Sequence, residues 1–415
     1  LDLAQSFKYQ LGDNFYLETQ HYPQFQQTYK ALYRIAEELK IPVVATIDNH
    51  YFKPEQGTIR EILWSIRDRR TFNPDNVQTN ALLMNGDELY TALKLIDPDF
   101  NWIPSIEITQ GIADSCNVVL KKGSLPVYPV PDGKTAYRCL AELCVEGLKK
   151  RGLYDKPEYQ QRLKRELALI HEKNFENYFL IVWDAVLWAK NNDIFVGPGR
   201  GSVGGCLAAY VLGIIEVDPL RYGLMFDRFL DETRIELPDI DLDFEDEKRY
   251  LVKDYLHRRY GINHVVQLGT FASFKGKNSI DEVGKSFSIP AIYLEEVKNY
   301  LIDRSSADMR SELCIEDTFE MSQRAHEISL EYPNILYASK LEGQLRHMSS
   351  HAAGALLSAE PMDDIIAFYR KEDNNSSPVA SVDYDGAKYL NLVKLDILGI
   401  TELTILHNIM SANGI

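Results

Sequence analysis

A chain of 415 residues, 45% hydrophobic and 26% charged, is too long for one ordinary core, and length alone predicts about two or three domains. No apolar run could span a bilayer; the five cysteines (Cys116, Cys139, Cys144, Cys206 and Cys314) form no Cys-x-x-Cys pair, which argues against a disulfide framework or a zinc site and for a reducing cytoplasm. A formal net charge of −16 excludes a protein that coats nucleic acid by bulk charge, so any such contact must be local.

The chain opens at Leu1 without a methionine, and the helical pattern over 402–409 meets no stop signal before Ile415, which predicts a piece of something longer. Near its start, Phe25, Leu32, Ile35, Ala36 and Leu39 have helical spacing within 22–40, and the run Ile41 to Ile47 predicts a buried strand. Asp48-Asn49-His50 follows, at the strand end where ligands gather in α/β units. Asp48 and His50 could hold a metal, although such a triplet is more often a hydrogen-bonded turn. Pro126, Pro129, Pro131 and Gly133 mark a linker.

From Thr135 to Asn191 the pattern is helical in three stretches, 135–151, 157–173 and 177–191, and Asn177 to Trp183 is too apolar for a surface helix. A short strand, Ile194-Phe195-Val196, then enters the turn Gly197-Pro198-Gly199-Arg200-Gly201-Ser202-Val203-Gly204-Gly205, which runs into an apolar helix from Cys206 to Leu212. Glycines allow close approach and helix N-terminal amides favour anions, so this is a candidate phosphate cradle. It lacks the Gly-Lys-Ser/Thr ending of a Walker loop.

The most informative stretch is Pro238-Asp239-Ile240-Asp241-Leu242-Asp243-Phe244. Read as a strand, its period of two places three carboxylates on one face and three apolar side chains on the other. Like charges this close repel unless a cation joins them, and magnesium takes such hard oxygen ligands together with substrate phosphates, the plainer alternative being a solvated acidic edge strand. Residues 246–260 then predict an amphipathic helix carrying Lys248, Arg249, Lys253, Arg258 and Arg259. The region from about Thr270 to Arg346 reads as a helical insertion with Lys275, Lys277 and Lys285 near its start. Strands return at 355–357, 379–382 and 390–396, the last placing Lys394 and Asp396 on one face.

Phe175 to Val182, Val196 to Ser202, Asp218-Pro219-Leu220, Phe226 to Leu230, Pro238 to Phe244, His351 to Gly354 and Val393 to Gly399 together resemble, in order, the motifs of the C family of bacterial replicative DNA polymerases, the polymerase III alpha subunits. The stretch Arg346 to Gly354 is more similar to the shorter form found in low-GC Gram-positive bacteria. The resemblance implies an α/β fold: a nucleotidyltransferase-like palm sheet with an inserted helical thumb, preceded by a partial polymerase-and-histidinol-phosphatase (PHP) domain. It places the end of the PHP domain at 1–105, palm at 106–269 and 349–401, thumb at 270–348 and the start of the fingers at 402–415.

The same resemblance implies that Asp239, Asp241 and Asp396 are catalytic and hold two magnesium ions, with Asp243 supporting them. It implies that Arg200, Gly201, Ser202, Arg228 and Lys394 bind a deoxynucleoside triphosphate, and that Asp48 and His50 are a PHP remnant. Primer–template DNA is the implied partner, with a sliding clamp and other replisome proteins reached through parts outside this chain, at the cytoplasmic nucleoid and without a membrane. The piece alone is expected to be weakly active or inactive. The sequence departs from the family at Cys206 (serine), Asp281 (arginine), Asn391 (glycine) and Thr401 (arginine), and none of these removes a carboxylate. Two other readings are a PHP-type metal-dependent phosphoesterase centred on Asp48 and His50, and a non-catalytic replisome scaffold.

Overall fold

The computed structural model describes residues 1–78, 81–234, 236–302, 304, 313–369 and 378–414. Contacts divide the chain into two compact units, Leu1–Val119 with Ser273–Arg346, and Leu120–Ala272 with His347–Ile415.

In the first unit the strands Leu17–Gln20 and Val43–Thr46 pair in parallel, and the helix Gln26–Leu39 connects them, as parallel neighbours require. Tyr29 and Ala45 pack with Leu89, Leu93, Ile96 and Trp102. The helix Gln56–Asp68 carries an apolar stripe at helical spacing, Ile59, Ile62, Leu63 and Ile66. That stripe joins a second cluster with Ile280, Val283, Leu294, Val297, Ile315 and Phe319. These residues come from the helices Gly276–Ser286, Ala291–Asn299 and Ile315–Met321, within the stretch expected to be helical. Residues 303 and 305–312 of that stretch lie outside the described residues.

The second unit is a mixed α/β layer structure. Its helices Ala136–Lys150, Pro157–Glu172 and Glu176–Asn191 match the three expected stretches. Tyr178, Phe179, Leu180, Ile181 and Val182 are buried as anticipated and share a core with Ile240, Leu242, Phe244, Leu395 and Ile397 of the sheet. The six strands run in the order Asp241–Glu245, Val393–Ile400, Leu345–Leu357, Val265–Ser273, Val379–Ala380 and Phe368–Tyr369. The first two are parallel and the next is antiparallel to them. Tyr128 anchors the proline-rich stretch in this core.

Several elements differ from the sequence reading: the strands expected at 355–357 and 390–396 run Leu345–Leu357 and Val393–Ile400, the latter after Asn391 at φ 58°. The acidic strand begins at Asp241 rather than Asp239, because the Ile240 amide donates to the Tyr178 hydroxyl (3.2 Å) instead of to a neighbouring strand. Residues 194–196 form only an isolated bridge, Val196 opposite Phe244. The strand Val265–Ser273 runs through residues read as the start of a helical region. Its Gly269 hides the strand signal, and an added Cβ there would come within 2.2 Å of the Ala380 carbonyl. Among the described residues no helix is long and apolar enough to cross a membrane.

Candidate active site

Along Asp241–Glu245 the side chains of Leu242 and Phe244 go into the core, leaving Asp241 and Asp243 on the other face. Asp241 stands in register with Asp396 on the adjacent parallel strand, and on its far side Asp396 is paired with Gly354, which has no side chain to crowd it. Lys394 Nζ lies 2.7 Å from Asp396 Oδ2. Asp239, exposed and just before the strand, borders a cleft of about 350 Å³ together with Tyr178, Tyr384 and Lys394.

The charges interact as one group. Burial pushes the Tyr178 hydroxyl up, the Ile240 amide works against this, and the negative charges of Asp239, Asp396 and Asp241 all add to the rise. Burial alone would lower Lys394, but its hydrogen bond to Asp396, with the charges of Asp396 and Asp239, holds it above the ordinary lysine value. Asp243 is raised, first by burial and further by Asp241, with Arg200 opposing. Arg200 Nε sits 3.6 Å from Asp241 Oδ2 and 3.7 Å from Asp243 Oδ1, loose pairs whose arginine is half-exposed. Such pairs contribute little stability, about 0–1 kcal/mol.

Two buried oxygens, Asp243 Oδ1 and Asp396 Oδ1, have no hydrogen-bond partner among the described residues. Among those residues no three His, Cys, Asp or Glu side chains already form a metal-binding group. The carboxylates share a neighbourhood, with Lys394 and Arg200 among them. Hard oxygens with unmet acceptor capacity are the type that divalent ions such as magnesium take as ligands.

The glycine-rich turn is tied to this strand. Gly197 donates its amide to the Asp243 carbonyl (2.8 Å), and Gly199 has φ 97° with Ile215 so close that a Cβ would meet it at 2.4 Å. Residues Gly201–Gly205 form a 3₁₀ turn, and Gly201 and Ser202 are exposed. A second 3₁₀ turn, Phe226–Arg228, packs on the first, where a Cβ on Gly205 would lie 2.3 Å from the Met225 carbonyl. Arg228 is exposed at its end. The structure therefore brings Arg200, Gly201, Asp241, Asp243, Asp396 and Lys394 around one strand pair, with Asp239 at its entrance and Arg228 on the turn next to Gly201–Gly205.

In the other unit, His50 Nε2 lies 3.0 Å from Asp48 Oδ1, both about half-exposed, and Tyr22 donates its hydroxyl to Asp48 Oδ2 (3.2 Å). The departures from the family pattern have local partners. Asp281 pairs with Lys298 at 2.7 Å, Thr401 donates to Asp246 (2.9 Å), and the buried Cys206 accepts from the Ala209 amide. Sequence reasoning took Tyr178 as core only and passed over Tyr384, Arg162 and Glu166. The visible signal for Glu166 is a carboxylate inside the apolar stripe Leu163, Leu167 and Ile170.

This site, on a mixed α/β sheet, is consistent with the nucleotidyltransferase-like class of polymerase domain. Residues 138–399 match the family model of the bacterial DNA polymerase III alpha NTPase domain. The DNA polymerase III subunit alpha of Bacillus subtilis is 34% identical over 403 residues, covering 96% of this chain and 35% of that protein. The protein of the same description from Aquifex aeolicus is 31% identical over 445 residues, covering 97% and 38%. That from Neisseria meningitidis serogroup A is 33% identical over 437 residues, covering 97% and 36%. The chain belongs to the bacterial DNA polymerase III alpha family, and it spans about a third of the length of these relatives.

Proposed function

We propose that the chain is the catalytic core portion of a replicative DNA polymerase, transferring a deoxynucleotidyl group from a deoxynucleoside triphosphate to a primer 3′-hydroxyl opposite a template. The observation that carries this reading is the cross-strand register of Asp241 with Asp396, with Asp243 tied through its carbonyl to the glycine-rich turn. In this reading residues 106–269 and 349–401 are palm, 270–348 thumb, 1–105 the end of a PHP domain and 402–415 the start of the fingers.

Asp239, Asp241 and Asp396 would hold magnesium, which supplies Lewis-acid activation of the hydroxyl and neutralises charge on the leaving pyrophosphate. The Gly201-Ser202 turn would receive the triphosphate, and Arg228 suits bidentate contact with its oxygens. Arg200 and Lys394, already among the carboxylates, would balance charge as the phosphate transfers. Among the described residues Asp48 and His50 have no third metal-type side chain with them, where catalytic sites usually need three, which favours polymerase over phosphoesterase chemistry. The intact set of carboxylates favours an enzyme over a scaffold.

The test is single-nucleotide extension of a primed template with magnesium, by this chain and by a longer form containing it. Extension by the longer form that is lost on Asp241→Asn supports the reading. Extension indifferent to that change removes the site from the chemistry.

A further inference from the structure

Between the two turns assigned to the triphosphate runs an ion pair, its carboxylate buried and its arginine partly exposed, that the reaction itself does not use. Glu166, wholly buried on the helix Pro157–Glu172, accepts from the amides of Leu207 (3.1 Å) and Ala208 (2.9 Å), the residues immediately after the glycine-rich turn. The Cys206 thiol also donates to it at 3.5 Å. Arg162, one turn earlier on the same helix, donates Nε to Glu166 Oε1 (2.6 Å). Its Nη2 donates to the carbonyl of Gly205 (2.7 Å), which ends the first turn, and to that of Leu224 (3.3 Å), which leads into the second. Its guanidinium lies 5.8 Å from the centroid of the Phe226 ring. Arg165 on the exposed side of the helix pairs with Asp227 at 2.5 Å, beside Arg228.

A carboxylate buried as deeply as Glu166 is costly unless fully engaged. What this pair supplies is direction. One planar fork reads the carbonyl that ends the first turn and one that leads into the second, while the carboxylate it orients reads the amides on the far side of the first. Lysine could satisfy the charge but could not make both carbonyl contacts and the Glu166 contact in one plane.

We infer that Arg162 and Glu166 are positioning residues that fix the spacing between Gly201-Ser202 and Arg228, and so set the affinity of the site for a nucleoside triphosphate. The inference rests on the proposed function, since it takes those two turns to be the triphosphate-binding elements. Burial pushes the Glu166 carboxyl up, and the amides of Ala208 and Leu207 and the charge of Arg162 act against that rise.

The experiment compares, in a longer form that contains this chain, the unaltered sequence with Arg162→Lys, Glu166→Gln and Arg228→Ala by equilibrium titration with dATP and magnesium, alongside amide hydrogen exchange of residues 201–210 and 222–230. Arg162→Lys is expected to speed exchange in both segments and weaken dATP binding about tenfold, with the thermal midpoint nearly unchanged. Arg228→Ala should weaken binding similarly without altering exchange at 207 and 208. If Arg162→Lys does not fold, Glu166→Gln, which keeps the side-chain shape, carries the same expectation for exchange and for dATP binding. Unchanged exchange in both segments, or unchanged affinity where Arg228→Ala weakens it, overturns the inference and leaves the functional reading standing. No dATP binding by the unaltered sequence, or indifference to Arg228→Ala, defeats the functional reading and the inference with it.

Discussion

Lys394 Nζ holds one oxygen of Asp396 at 2.7 Å, while the other, Oδ1, is buried with no hydrogen-bond partner among the described residues. A buried acceptor left open costs about 1–3 kcal/mol. Such a cost is tolerated at sites where a ligand later meets it, and Asp241 stands in register alongside.

Asp396→Asn keeps the shape and removes the charge. In a polymerase containing this chain it is expected to lower primer extension by at least about a hundredfold, in line with losing one transition-state electrostatic contact. The thermal midpoint should stay within a few degrees. Extension rates at saturating magnesium, with a melting curve on the same sample, check this, and full activity would remove Asp396 from the chemistry.

Arg228 ends an exposed turn packed on Gly201–Gly205. In the same enzyme Arg228→Ala is expected to raise the nucleotide concentration for half-maximal extension about tenfold, a loss of about 1.4 kcal/mol. Primer affinity should be unaffected. Titrating nucleotide at fixed primer separates the two, and an unchanged nucleotide requirement counts against the assignment.

Asn391, where the family has glycine, has φ 58°, and its Nδ2 donates to the Gly123 carbonyl at 2.8 Å. Asparagine tolerates this left-handed conformation and β-branched residues do not. Asn391→Gly should cost at most about 1 kcal/mol, trading the hydrogen bond for an easier backbone. Asn391→Val should cost about 1–3 kcal/mol through backbone strain. Denaturant unfolding of the two variants checks the order, and equal stability would remove the backbone argument.

Sequence patterning carried the helices and the acidic strand because their signals are periodic. The three helices between Ala136 and Asn191 repeat apolar residues at helical spacing, and Leu242 and Phe244 alternate with Asp241 and Asp243. What it missed depends on distant partners. Gly269 looks like a strand breaker until the Ala380 carbonyl is seen against it, and Asp239 leaves the strand because Tyr178, 62 positions from Ile240, takes the Ile240 amide. The joining of Ile62 to the helices beyond Ser273 has no signature in either segment alone. Glu166 was legible only as an anomaly in an apolar stripe, since its role depends on amides about forty residues downstream, at Leu207 and Ala208.

The end of the acidic strand offers a pH test. Glu245, 2% exposed, accepts from His407 Nδ1 (2.8 Å), Lys248 Nζ (3.1 Å) and the Phe195 amide (3.2 Å), and so anchors the helix Thr401–Ala412 to the sheet. Asp193 faces the other nitrogen of His407 at 3.4 Å. Burial alone would raise the Glu245 carboxyl, but the bonds from His407, Lys248 and the Phe195 amide outweigh it and hold the value below the ordinary one. A carboxyl depressed in the folded state stabilises it above the unfolded value, about 4.3 for glutamate, and that contribution is lost as pH falls through the folded value. Glu245→Gln should therefore cost about 3 kcal/mol at pH 7, the lower end for breaking a buried pair. The gap between variant and unaltered chain should narrow as pH drops below about 4. Denaturant midpoints at pH 7 and at low pH on both proteins measure it, and a gap of the same size at both would show that the charge on Glu245 contributes nothing.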